Sequence, residues 1–261
     1  MTHGEHHEGL ELLNELKKEF EATIIHELLP GILHNFANPL NGIMGRSKLL
    51  QKRAYDHFKV GSPEDPVGVP VSAGEEKIIK DIDLIAKETD RLFDLFNDVA
   101  GKIYRLQDLS LQKINVSHLI KCEVAFFNFY LDFKHTVEKE LRLDWDVPDI
   151  TGIPADYSMA ISTIIRYSMS AMKMSPAKKL VVTTCHDEKY VYSVFEDTGI
   201  HELDQEDKDF LSTLAPSRQP FYHLDGKSGL FNALSLLAKY HVRVDLDSTM
   251  DSYCLRLRIP C

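Results

Sequence analysis

The stretch Leu33-His34-Asn35-Phe36-Ala37-Asn38-Pro39-Leu40-Asn41-Gly42 decides how the rest of the chain is read. It lies within an apolar repeat, Leu29, Leu33, Phe36, Leu40, Ile43, Ser47 and Leu50, whose gaps alternate between four and three residues. That alternation is the 3.5-residue period of a seam between packed helices. His34 directly follows a seam position, and Asn38 lies one helical turn further on. Both therefore fall off the seam, on one outward face. An isolated histidine there would be an ordinary solvated side chain. An imidazole beside a carboxamide on a rigid, solvent-facing helix instead suits a nucleophile that meets a second protein.

Working outward, Leu12, Leu16 and Phe20 carry helical spacing upstream, so residues from about Gly9 to Lys59 read as one long helix or two helices end to end. Pro30 and Pro39 interrupt it. They either bend the axis beside His34 or, for Pro30, mark a junction. His3, His6 and His7 sit at a chain end and read as solvated. Downstream, Pro63, Pro66 and Pro70 with Gly61 and Gly68 exclude regular structure from a loop spanning Gly61 to Gly74. Ile78, Ile82, Ile85, Thr89, Leu92, Phe96, Val99, Ile103 and Leu106 then resume the four–three alternation. Charges at Lys80, Asp81, Asp83, Lys87, Glu88, Asp90 and Arg91 cover the other faces.

Two seam-bearing helices joined by a loop form an antiparallel hairpin, which buries only one side of each helix. Two hairpins close a four-helix bundle, so the expectation is a homodimer. The alternative is a hairpin packed on its own C-terminal half.

After Leu106 the pattern becomes mixed. Asn115-Val116-Ser117 opens a helix to about Phe133, with Ser117 as a cap. Val137 to Trp145 alternates as a strand, and Pro148 to Pro154 reads as a turn-rich link. A helix follows over Ala155–Lys173, its methionine stripe a core feature. Strands at Leu180–Thr184 and Tyr190–Phe195 flank a turn. After a polar loop over 201–227 come a helix over Ser228–His241 and strands at Val242–Asp247 and Tyr253–Ile259. The predicted class is α+β: a helical hairpin over residues 1–110 and a helix-covered sheet over residues 111–261.

Composition limits the function. The net charge of −10 argues against a nucleic-acid-binding surface. No apolar run approaches membrane-spanning length, and the first residues carry no signal-peptide core, so any sensor segment lies outside this chain. Cys122, Cys185, Cys254 and Cys261 lack metal-ligand spacing and read as free thiols in a reducing cytoplasm.

The segment His34-Asn35-Phe36-Ala37-Asn38-Pro39-Leu40 resembles the phosphoacceptor box of two-component histidine kinases. The resemblance implies that His34 is the phosphorylated residue and that Asn38 orients water when a partner is dephosphorylated. The box usually places an acidic residue after the histidine as general base. Asn35 stands there, and a carboxamide takes up no proton near neutral pH.

The order helix, strands, Asp-x-Gly, loop and Gly-rich helix start resembles the ATP-binding domain that follows the hairpin in that family. Asp197-Thr198-Gly199 matches the motif whose aspartate meets the adenine amino group, and Gly226-Lys227-Ser228-Gly229 matches the start of a phosphate-facing glycine box. Aligning on Ala171-Met172-Lys173 puts Ser170 in place of the asparagine that holds Mg²⁺, with Lys173 close by. Arg166 or Tyr167 replaces a second asparagine, His201 the last glycine of the aspartate motif, and Phe231 the next glycine of the second box. Phosphoryl transfer relies on positioning and charge neutralisation, so these departures imply that ATP and Mg²⁺ bind weakly or not at all.

The expected function is exchange of a phosphoryl group between His34 and the aspartate of a response-regulator receiver domain. The alternatives are an ATP-dependent histidine autokinase and a non-catalytic dimeric scaffold.

Overall fold

A computed structural model of the chain describes residues 13–21, 28–60, 73–201, 207, 209, 228–248 and 253–261. The expected hairpin loop, the histidines near the start and most of the polar loop over 201–227, Gly226 included, lie outside the described residues. The described chain divides into two compact units. One is Leu29–Val99. The other combines the described residues up to Leu28 with Ala100–Cys261.

The first unit is the helical hairpin, formed by α2 (Leu29–Val60) and most of α3 (Ala73–Gln107). Pro30 sits in the first turn of α2, where no backbone donor is lost, and Pro39 lies within a helix that continues past it. The antiparallel register is pinned by Arg53, which donates to the Asp81 carboxylate and to the Lys77 carbonyl, and by Arg46 at 4.0 Å from Asp81. A Cβ built at Gly42 would lie 3.3 Å from Glu88 Cγ, so the small residue admits that side chain.

This hairpin corrects the seam. Asp81 is buried rather than part of an outer charged face. Several expected seam residues face outward: Leu33 is 61% exposed and Phe96 59%, with Leu29, Leu40, Ile82 and Ile103 also exposed. The buried positions of α2 are instead Gly31, Asn35 and Pro39. Gly42 against Glu88 and the arginines against Asp81 use small and charged residues for the intrachain contact, which leaves the apolar repeat outside.

The second unit is a five-stranded sheet in the order β2 (Glu138–Arg142), β4 (Lys179–His186), β5 (Tyr190–Asp197), β7 (Tyr253–Pro260), β6 (Arg243–Ser248). The β2–β4 pair is parallel and the others antiparallel. Alternation along β4, β5 and β7 sends Leu180, Val182, Val191, Phe195, Leu255, Leu257 and Ile259 into the core. The helices of this unit are α4 (Val116–Phe127), α5 (Leu131–Thr136), α6 (Pro154–Ala171) and α7 (Ser228–Ala238). Beyond α7, His241 at φ 59° turns the chain into β6.

Three local readings change. Asn115, not Ser117, caps α4: its side chain accepts the His118 N–H at 3.0 Å. The Ser117 hydroxyl is buried against the Asp144 carbonyl and the Thr184 hydroxyl. The expected 115–133 helix breaks at Asn128–Tyr130 into α4 and α5. The expected turn-rich link contains β3 (Ile150–Gly152), which pairs with β1 (Gln112–Ile114) to form a second small sheet.

The end of α3 is joined to this unit by a buried charge network. Lys102 Nζ donates to Glu123 Oε2 at 2.6 Å and to the Ser158 and Ser162 hydroxyls, and Arg105 Nε lies 3.3 Å from Glu123 Oε1. Burial pulls the Lys102 ammonium below the usual lysine value, against the attraction of Glu123. Burial pushes the Glu123 carboxyl up, but Lys102 and Arg105 outweigh it and hold the carboxyl below its usual range. Residues 13–21 form a further helix, α1, whose Leu13, Leu16 and Phe20 are buried in this unit. Phe20 packs 6.0 Å from Phe126, and Lys102 Nζ lies 5.0 Å from its ring centre.

Candidate functional site

Two clusters bear on function, one in each unit. On the hairpin, His34 and Asn38 are both exposed, one turn apart on the continuous helix α2. Asn35 is only 4% exposed, so the structure brings His34 and Asn38 onto one accessible face and turns Asn35 inward. An accessible imidazole on a fixed helix can attack an electrophile presented by another molecule, and a carboxamide one turn away can hold a water or an oxyanion.

In the sheet unit the chemistry converges on the end of β5. Asp197 is the last residue of that strand and pairs in register with Tyr253, the first residue of β7. The Asp197 Oδ1 atom accepts the Gly199 N–H at 2.8 Å and the His201 Nε2–H at 2.7 Å. A carboxylate oxygen only accepts, so Nε2 is the nitrogen that carries the proton. The His201 side chain is 2% exposed, and its ring stacks on Tyr253 with centroids 3.6 Å apart and planes 16° apart. Tyr167, from the C-terminal half of α6, lies 4.9 Å from the imidazole and 6.1 Å from Tyr253, so it meets the side of the stacked pair rather than the second face of the imidazole. Gly199 is required by space: a Cβ there would come within 2.6 Å of Ala171 Cβ. Burial pushes the Tyr253 phenol well above its ordinary pKa, and the Tyr167 phenol and Asp197 carboxylate nearby push the same way.

The resemblance to an ATP-binding domain assigns Asp197 and Gly199 to the base, Gly226 and Gly229 to the phosphates, and Ser170 and Lys173 to the metal end. Among the described residues, these positions have protein neighbours of their own. The Asp197 carboxylate is engaged by its own chain and flanked by stacked rings. At the start of α7, a Cβ built on Gly229 would lie 3.4 Å from Glu19 Oε2 of α1, so a carboxylate lies beside this glycine. Glu19 is 3.7 Å from Arg166, the residue that replaces an expected asparagine. Phe231 is buried. Ser170 and Lys173 are exposed at the end of α6 and just beyond it. No group of three His, Cys, Asp or Glu side chains among the described residues is arranged to hold a metal ion. The four cysteines are free.

Asp197 and the replacement of a glycine by His201 are visible in the sequence, but their pairing, the Tyr253 stack and the position of Glu19 are not. The four-residue gap from Asp197 to His201 was the one available signal. Tyr253 and Glu19 arrive from distant parts of the chain.

No helix among the described residues is long and apolar enough to cross a membrane. No family model matches the chain, and no curated protein matches it. Solved structures do resemble it. The Acinetobacter baumannii histidine kinase AdeS is 15% identical, with 82% of this chain and 94% of that one covered and a TM-score of 0.44. The histidine kinase ThkA, in complex with the response regulator protein TrrA, is 15% identical over 95% of this chain and 65% of that one, with a TM-score of 0.46. A bacterial phosphotransferase is 11% identical over 88% of this chain and 93% of that one, with a TM-score of 0.40. These values describe a loose likeness and assign no activity; in fold, the chain is similar to sensor histidine kinases.

Proposed function

We propose that this chain is a dimeric two-component signalling protein that exchanges a phosphoryl group between His34 and the aspartate of a response-regulator receiver domain. The observation that carries this reading is the contrast between the two clusters. His34 and Asn38 share an accessible face, whereas the Asp197 carboxylate is already bonded to His201.

In the transfer step, an imidazole nitrogen lone pair of His34 forms a P–N bond as the P–O bond of the aspartyl phosphate breaks. The aspartate leaves as a carboxylate with the electron pair, and the imidazole releases its N–H proton to solvent. The reverse step phosphorylates the receiver. Little covalent work falls to the protein, so catalysis rests on alignment. Asn38 is placed to orient a water that cleaves the same acyl phosphate to inorganic phosphate. Asn35 is turned inward and supplies no base, so its part is to fix the helix that carries His34.

A second copy of the hairpin covers the outward apolar repeat and completes a four-helix bundle. A receiver domain docks on the helical surface below His34, the class of partner that ThkA holds in its complex with TrrA. ATP and Mg²⁺ bind weakly or not at all at Asp197, Gly199, Ser170, Lys173, Gly226 and Gly229. The working compartment is the cytoplasm.

The test is to mix a phosphorylated receiver domain with the purified chain and follow acid-labile phosphate. Transfer to the wild type and none to His34→Gln is expected. Equal labelling of both proteins would refute the reading.

A further inference from the structure

The cluster around Asp197 has features that simple core packing does not require. Its centre is a flat heteroaromatic ring, the His201 imidazole, lying face to face on Tyr253 and flanked by Tyr167. One edge of the ring donates to a carboxylate. Three buried polar atoms of this cluster have no hydrogen-bond partner among the described residues: Asp197 Oδ2, His201 Nδ1 and Tyr253 Oη. Buried polar groups are usually satisfied, so orphans on three neighbouring side chains mark a place with unused hydrogen-bonding capacity. The carboxylate is itself held, because Gly199 N–H bonds Oδ1 and the glycine is wedged against Ala171. A fixed carboxylate with one oxygen unbonded among the described residues, beside a tyrosine face on which a ring stacks, recognises a planar ring that carries N–H donors.

We propose that His201 is a resident ligand of this flat-ring site. Its imidazole occupies a slot otherwise suited to a nitrogen heterocycle with N–H or amino donors, such as imidazole or an aminopurine. This inference rests on the reading above that the nucleotide site no longer works, and it names the residue that closes it. Tyr253 supplies the stacking face, Tyr167 a side contact, Asp197 the hydrogen-bonding edge, and His201 the ring. Removing the ring leaves a cavity of imidazole size whose polar edge is still in place, which is the condition for rescue by a free heterocycle.

The experiment uses the full chain, wild type and His201→Gly, titrated calorimetrically with imidazole and with adenosine 5′-diphosphate without magnesium. Wild type is expected to take up neither ligand. His201→Gly is expected to bind imidazole in the millimolar range and the nucleotide at least about tenfold more tightly than wild type, with the gain lost in His201→Gly/Asp197→Asn. A folded His201→Gly that binds neither ligand, or a wild type that binds as tightly as the variant, overturns the proposal. If His201→Gly does not fold, nitrogen-15 NMR of the histidines in wild type decides. One Nε2–H shielded from solvent exchange and lost in Asp197→Asn supports the proposal, and its absence overturns it. No phosphoryl donor enters either measurement, so failure here and failure of transfer to His34 are separate results.

Discussion

Two histidines, each four residues from a polar neighbour, meet opposite fates in this molecule. His34 and Asn38 lie on one exposed face of a helix, where neither side chain is spent on packing. His201 and Asp197 lie at the end of a strand, buried, bonded to each other and stacked under Tyr253. The same kind of pair is available for chemistry in the hairpin and consumed by structure in the sheet unit. Spacing alone therefore does not make a site; what decides is whether the fold leaves the groups a partner outside the chain.

The largest effect that would break this comparison is on the hairpin. His34→Gln should abolish phosphoryl uptake from a phosphorylated receiver while leaving the circular dichroism and melting curve of the wild type, because an exposed side chain carries little stability. Retained uptake would move the chemistry elsewhere. The next effect is on stability. Lys102→Met removes the buried cation on Glu123 Oε2 and leaves the carboxylate to Arg105 and two serine hydroxyls, and the expected cost is about 3 kcal/mol in urea unfolding. Replacing both partners together, as Lys102→Met with Glu123→Leu, should recover much of that loss. The third effect concerns assembly. Phe93 is 63% exposed in one chain, and burying such a ring is worth about 1.5–3 kcal/mol. Phe93→Glu with Phe96→Glu should therefore convert a dimer to a monomer in analytical ultracentrifugation. A smaller effect is expected at Asn38: Asn38→Ala should slow hydrolysis of receiver phosphate about tenfold, or about 1.4 kcal/mol, while leaving transfer to His34 in place.

The sheet unit adds a pH dependence. The Glu123 carboxyl in the folded chain lies below its ordinary value of 4.5. Between those two values the unfolded chain binds more protons, so Glu123 stabilises the fold above about 4.5 and loses that contribution as the pH falls towards the folded value. Glu123→Gln should flatten this acid limb of the stability curve relative to wild type. An unchanged slope would show that other carboxylates set it.

Much of this architecture was legible in the order of residues, and the exceptions share a cause. The hairpin, the α+β class and the strands of the main sheet follow from periodicity, a local property. The direction of the apolar repeat did not follow, because the four–three alternation states only that a face is apolar and not which chain covers it. Leu33 and Phe96 point outward, while Gly42, Arg53 and Asp81 make the intrachain contact. The little β1–β3 sheet was hidden by prolines at both ends of a three-residue strand. The Lys102–Glu123–Ser158–Ser162 network joins three helices far apart in sequence, and no local pattern distinguishes a lysine destined for burial from a solvated one. At the candidate sites, His34 and Asn38 are exposed as expected but for another reason: the repeat they were offset from is itself outward, and the buried line of α2 runs through Gly31, Asn35 and Pro39. The packing around Asp197 was only half readable. The substitution of glycine by His201 was visible, but the Tyr253 stack and the Glu19 carboxylate beside Gly229 depend on pairings that only the folded chain displays.

The most direct measurement offers the purified chain two labelled donors side by side, a phosphorylated receiver domain and γ-labelled ATP with magnesium, and maps where label arrives. Label on His34 from the receiver and none from ATP is the expected result. Label on His34 from ATP at a comparable rate, or label from the receiver that survives in His34→Gln, would contradict the account.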